Sequence, residues 1–145
     1  MIVIGFTGTR KGMTVKQADV LREIIEQYKL AHSYLKGSKQ VHFHHGDCIG
    51  ADEEANVIAK SFDTYIAIHP PVSNHQRAFC KGDYEAQIKP NIERNHDIVD
   101  LCDILIACPK GNTEERRSGT WATIRYARKK GREVKIIYPD GEVGK

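Results

Sequence analysis

Ser118, Gly119 and Thr120 stand where an apolar run, Ile104 to Ala107, passes through a polar loop, Pro109 to Arg117, into an amphipathic helix. Residues this small let a ligand come close to the backbone. The unpaired amides of the first helical turn, with the helix dipole behind them, then favour an anion of phosphate size. One such junction says little, because any helix can begin with Ser-Gly-Thr. Two further loops strengthen it: Thr7-Gly8-Thr9-Arg10 after the first apolar run, and His45-Gly46-Asp47-Cys48-Ile49-Gly50-Ala51-Asp52 after the second. Arg10 offers a planar, permanently charged fork to a phosphate or a base. Asp47 and Asp52 flank Gly50; one suits a ribose hydroxyl, as acidic residues do in dinucleotide sites, and the other a helix N-cap. We assign Asp47 to the ligand and Asp52 to the cap. Trp121 either stacks on a base or fills the space between helix and sheet, and a tryptophan in a first helical turn more often packs. Arg125, one turn on, could reach back to a phosphate or out to a partner subunit.

Other clusters carry less. His42, His44, His45, Asp47 and Cys48 crowd together, but no second ligand pair stands at a recognised metal spacing. The bland reading is strand histidines against a covering helix, with no metal and no cofactor expected. Arg128-Lys129-Lys130-Gly131-Arg132 reads as a solvated helix end that complements the dipole. The net charge of +3 neither demands nor excludes nucleic acid, and with the basic run read as a solvated helix end nucleic acid is not expected as a partner. The four cysteines lack CxxC spacing and imply free thiols in a reducing cytoplasm. No apolar run approaches a membrane span, and Met-Ile-Val-Ile-Gly-Phe reads as a strand, not a signal peptide.

The elements that must position these residues follow from periodicity. At 145 residues the chain is a single domain with room for a sizeable core. Ile2 to Phe6, Gln40 to His44, Thr64 to Ile68, Ile104 to Cys108 and Val134 to Tyr138 read as strands. Between them lie helices: one from a Thr14/Gln17 capping box to about Lys36, stopped at Gly37-Ser38; one over roughly Asp52 to Ser61; one over Asn91 to Cys102; and one over Thr120 to Lys130 with Gly131 at its end. Val72 to Pro90 is the least regular stretch and reads as a mobile functional loop. Alternating strands and helices predict an α/β, Rossmann-like three-layer sandwich, with a mainly parallel five-stranded sheet in the order 3-2-1-4-5. The winding then reverses between strands one and four. A ligand belongs at their carboxyl ends, where the three glycine-bearing loops converge.

Four segments in this order, Gly5-Phe-Thr-Gly-Thr-Arg10, His45 to Asp52, Glu93-Arg-Asn-His-Asp-Ile-Val99 and Ser118 to Ala127, resemble the SLOG superfamily of Rossmann-like nucleotide-binding proteins, near its YspA-like branch. That superfamily also holds the Lonely Guy phosphoribohydrolases, the molybdenum-cofactor carrier proteins and the DNA-processing protein A core. The Lonely Guy enzymes carry PGGxGTxxE after the fourth strand and an arginine on the preceding helix. Pro109, Gly119-Thr120 and Arg94 match those features. The glutamate position falls on Thr123, and the loop before Gly119-Thr120 is longer and charged. The resemblance therefore implies phosphate binding more directly than hydrolysis.

A nucleotide or nucleotide-derived ligand is the expectation, with Thr7, Gly8, Thr9, Arg10, His45, Gly46, Asp47, Arg94, Asn95, Pro109, Ser118, Gly119, Thr120 and Trp121 as binding residues. Its rival is an N-glycosidic hydrolase of nucleoside 5′-monophosphates using Arg94 and a substitute carboxylate, Glu115 first and Glu114, Asp47 or Glu85 otherwise. A second alternative, a DNA-associated module, is implied only by the DNA-processing relatives, and heparin retention with its salt slope would separate it. The resemblance also implies a homo-oligomer, dimer or tetramer. The spread of Trp121, Ile124, Tyr126 and Ala127 round the last helix suggests a face left for a partner.

Overall fold

The computed structural model describes residues 1–32 and 39–145. The expected extension of the first helix to Lys36 and its stop at Gly37-Ser38 lie outside the described residues. In chain order the elements are β1 (Ile2–Gly8), α1 (Val15–Ala31), β2 (Val41–His45), α2 (Ala51–Ser61), β3 (Tyr65–Ile68), β4 (Tyr84–Glu85), α3 (Asn91–Leu101), β5 (Ile104–Cys108), α4 (Gly119–Lys129), β6 (Glu133–Ile137) and β7 (Val143–Gly144).

The sheet has seven strands in the order β4-β3-β2-β1-β5-β6-β7, which corrects the expected count of five. The two additions flank the sheet and are two residues each. So short a segment carries no period for a sequence to show. Inside the longer order, β3-β2-β1-β5-β6 keep the adjacency expected of the five longer strands. All pairings are parallel except β6 with β7. The first strand also runs further than its apolar residues suggest: Thr7 pairs with Ala107 and Gly8 with Cys108. Those two residues therefore sit on a rigid edge and not in a loop.

Helices cover both faces. Ile4, Phe6, Phe43, Ile66, Ile68, Ile104 and Ile106 form one core with Leu21, Ile25 and Ile58 of α1 and α2. Leu105, Ala107 and Ile136 form the other with Val99 of α3 and Trp121, Ile124 and Ala127 of α4. Buried on both faces, β5 reads as a continuous apolar run and not an alternating one. Most of the face of α4 expected to stay open is thus packed on its own sheet: Trp121 is 4% exposed and Ile124 and Ala127 are fully buried, while Tyr126 is half-buried, stacked on His96 of α3 and donating its hydroxyl to Asp100.

The Thr14 capping box forms as expected. Thr14 Oγ1 accepts the Gln17 amide at 3.1 Å, and the Thr14 amide donates to Gln17 Oε1 at 3.0 Å. Gln17 then buries its amide nitrogen against the carbonyls of Pro109 and Ile137, 2.8 and 2.9 Å away, tying α1 to the ends of β5 and β6. Helix α2 is capped by Gly50, with no side-chain cap bond, so Asp52 is not the N-cap. Gly50 has φ +89°, and a Cβ there would collide with the Arg10 carbonyl carbon at 2.5 Å. Only glycine lets the start of α2 lie on the loop after β1. The histidines contact the sheet more than a helix: His42 stacks on Tyr65, His44 bonds His69, and only His45 reaches α2, through Asn56. Arg132 donates to the Val99 and Asp100 carbonyls at 3.1 and 2.9 Å, closing the end of α3.

Candidate functional site: a basic cleft at the reversal of strand order

A cleft of about 640 Å³ opens where β1 and β5 end side by side, and its wall includes Thr7, Gly8, Thr9 and Arg10, Gly46, Arg94 and Asn95, and Ser118, Gly119 and Thr120. Helices cross the sheet on opposite faces on either side of this point, so the two loops diverge and leave a crevice. Five cations line it, Arg10, Lys11, Arg94, Lys110 and Arg117, against two carboxylates, Asp52 and Glu115. Among the described residues, the Arg10 and Arg117 side chains make no hydrogen bond or ion pair.

One end of the cleft is the start of α4. Ser118 caps the helix, its Oγ accepting the Trp121 amide at 3.3 Å. The amides of Gly119 and Thr120 precede any acceptor within the helix. A Cβ on Gly119 would meet nothing within 4 Å, so the space before the helix is open. Arg125 anchors the charged loop before it, donating to Glu114 Oε2 at 2.9 Å and to the Glu115 and Arg116 carbonyls at 3.5 and 3.1 Å. It thereby positions the loop carrying Glu115 and Arg117.

Arg94 is 4% exposed and makes no ion pair among the described residues. Its Nη1 donates to the carbonyls of Gly46 and His69, the latter at 3.1 Å, and its Nε to Asn95 Oδ1 at 2.8 Å. Only Nη2 is loosely held, by Asn91 Oδ1 at 3.4 Å and Cys48 Sγ at 3.7 Å. The guanidinium thus gives the cleft wall a fixed positive charge and one nitrogen that can be recruited, not a free two-pronged clamp. A buried cation satisfied by carbonyls alone raises the local affinity for anions.

Four sequence-named residues are not on the cleft wall. His45 is fully buried: its Nδ1 accepts the Asp47 amide at 3.0 Å, which leaves Nε2 to donate to Asn56 Oδ1 at 2.9 Å. Asp47 is fully buried at φ +53°. Its Oδ2 accepts Arg77 Nε and its Oδ1 the Cys80 amide, both at 2.8 Å. Pro109 offers its carbonyl to Gln17, and Trp121 packs in the core. Glu115 is on the wall, 3.6 Å from Lys110. Thr123, at the glutamate position, is 3% exposed and donates its hydroxyl to the Gly119 carbonyl at 2.8 Å. It has neither the charge nor the reach for acid–base work.

Lys11, Cys48, Asn91, Lys110 and Arg117 line the cleft without having been chosen from the sequence, and so does Asp52, which the sequence assigns to the cap. The charge of the loop from Lys110 to Arg117 was visible there; which of its residues turn inward was not. Burial pushes the Cys48 thiol up, with Asp52 adding to it and Arg94 and Arg10 pulling it back. Among the described residues no group of three or more His, Cys, Asp or Glu could hold a metal ion, and no helix is long and apolar enough to cross a membrane.

No protein-family model matches the chain, and no curated protein matches its sequence. Solved structures do. The molybdenum cofactor binding protein from the phototrophic bacterium Rippkaea orientalis superposes with a TM-score of 0.67 at 19% identity, over 94% of this chain and 76% of that one. TM1055 gives 0.65 at 13% identity, over 92% and 72%. DNA processing protein A (DprA) from Streptococcus pneumoniae gives 0.65 at 15% identity, over 94% of this chain and 50% of that one. The four segments quoted above and these superpositions agree: the chain has the SLOG-type fold.

Proposed function

We propose that the protein binds a nucleotide or nucleotide-derived ligand, a nucleoside phosphate or a molecule of the ADP-ribose type, with a phosphate on Ser118, Gly119 and Thr120. The observation that carries this reading is the coincidence of an open helix N-terminus with five cations against two carboxylates in one cleft at the reversal of strand order. A structural neighbour that binds molybdenum cofactor supports a small-molecule ligand on this fold. Gly119→Asp is the test. The side chain enters open space, and an acid in a first helical turn favours the helix, so the fold survives while a negative charge occupies the anion position. Calorimetric titration with AMP, ADP-ribose and related nucleotides is expected to show binding to the wild type and a loss of at least tenfold in the variant. Equal affinities would place the phosphate elsewhere.

The rival reading is hydrolysis of the N-glycosidic bond, with Arg94 and Glu115 as its catalytic pair. Glu115 stands on the cleft wall, which keeps that chemistry in view. Thr123 at the glutamate position argues for weak or absent turnover. Chromatography for free base released from the same nucleotides separates binding from catalysis. We further propose, from the SLOG resemblance, that the protein is a homo-oligomer, dimer or tetramer.

A further inference from the structure

Asp52 sits in the first turn of α2, 6% exposed, on the wall of the cleft. Its Oδ2 accepts the Cys48 amide at 3.2 Å. Its Oδ1 is buried and has no hydrogen-bond partner among the described residues. The helix dipole accounts for acids at this end of α2, but Glu53 and Glu54 in the same turn supply them from an exposed position. The dipole does not account for a buried carboxylate oxygen left without a donor, which costs free energy until one arrives.

The neighbouring cation does not fill that role. Arg94 is turned to the Gly46 and His69 carbonyls and to Asn95. A Cβ on Gly46 would lie 2.5 Å from Arg94 Nη1 and 3.1 Å from Asp52 Oδ2. Guanidinium and carboxylate therefore crowd the same glycine without bonding each other. Burial raises the Asp52 carboxyl above the usual range, with Asp47 adding to it, while His45, Arg94 and the Cys48 amide pull it back. A carboxyl so placed adds little to stability and keeps one oxygen for a donor that enters the cleft.

A second phosphate does not fit beside a carboxylate; a hydroxyl does. We infer that Asp52 Oδ1 accepts a sugar hydroxyl of the ligand whose phosphate lies on the start of α4, so that the site selects ribose over a sugar lacking its 2′ and 3′ hydroxyls. This rests on the proposed phosphate position. It replaces Asp47, which is committed to Arg77 and Cys80, as the carboxylate on the sugar side.

The test is calorimetry of the wild-type chain with the four common nucleoside 5′-monophosphates and their 2′,3′-dideoxy counterparts, repeated with Asp52→Asn. The expected result is a preference for the ribonucleotide of roughly ten- to a hundredfold, the worth of one hydrogen bond to a charged group. In Asp52→Asn that preference collapses while dideoxynucleotide affinity is kept, and the thermal midpoint is equal to or above that of the wild type. Equal wild-type affinity for the two sugars overturns the inference and leaves the phosphate reading intact; this arm needs no variant. A preference that persists in Asp52→Asn also overturns it. If no monophosphate binds the wild type, the inference falls, and the titration with ADP-ribose decides the phosphate reading separately.

Discussion

At the scale of single residues, burial decides what each polar group can do. His44 Nδ1 and His69 Nε2 share one hydrogen bond at 2.9 Å. Burial holds each ring at about 4, well below the 6.5 of a free histidine. For His44 the charges of His69, His42 and His45 push the same way. For His69, Asp97 opposes, while His45, Arg94 and Lys89 add to the depression. Both rings are thus neutral in the folded chain at neutral pH. Between pH 6.5 and 4 the unfolded chain takes up protons that the folded chain does not, so stability falls as pH drops through that window, by up to about 3 kcal/mol per ring. Thermal melts across this range are expected to show the loss. His69→Asn, which keeps a partner for His44 but removes one titrating ring, is expected to flatten the slope. An unchanged slope would place the acid sensitivity elsewhere.

At the scale of elements, the irregular stretch from Val72 to Pro90 proves to be a strap pinned along β3 by β4 and by the Asp83 amide on the Ile66 carbonyl, with Asp47 as its buried, charged anchor. Asp47 holds Arg77 and the Cys80 amide, and its own carbonyl accepts the Ala78 amide at 2.8 Å. Arg77 also pairs with Glu85 of β4, which lies on the sheet edge. Asp47→Asn tolerates the positive φ but removes the charge and turns one acceptor into a donor facing donors. It is expected to cost about 3 kcal/mol, as removal of one partner from a buried ion pair does. Urea unfolding measures that cost. Trypsin cleavage after Arg77 or Lys81 is expected to accelerate in step, because the strap loses its anchor before the sheet does. A variant as stable and as resistant as the wild type would show that β4 alone holds the segment.

At the scale of the whole molecule, assembly and topology part company. Trp121, Ile124 and Ala127 of α4 are consumed by its own sheet and Tyr126 lies on α3, so the arc supplies no argument for a partner; the dimer or tetramer rests on the SLOG resemblance. The exposed apolar side chains are spread over three helices (Val15 and Leu30 on α1, Val57 on α2, Ile92 and Leu101 on α3) and over the segment from Val72 to Ile88, where Val72, Phe79, Tyr84 and Ile88 are exposed. Light scattering at micromolar concentration is expected to give at least twice the chain mass of 16.4 kDa. The single-chain mass, constant with concentration, would overturn this.

The sequence by itself determined the α/β alternation, the adjacency of the five longer strands, the Thr14 capping box and the three glycine-bearing loops. Each of these is local: period, cap and turn chemistry are written in neighbouring residues. It also marked Arg10, Gly46, Arg94, Asn95, Glu115 and Ser118 to Thr120 as cleft residues before their positions could be compared. Only the tertiary structure decided that Asp47 turns into the strap and Asp52 into the cleft. The two stand five residues apart with the same side chain, and nothing local distinguishes them. What separates them is long-range: Arg77 and Cys80 arrive at Asp47 from the far side of β3, and the Gly46–Arg94 contact leaves Asp52 Oδ1 without a donor. The edge strands β4 and β7 were hidden for a related reason, since two residues gain strand geometry only from the neighbour they pair with.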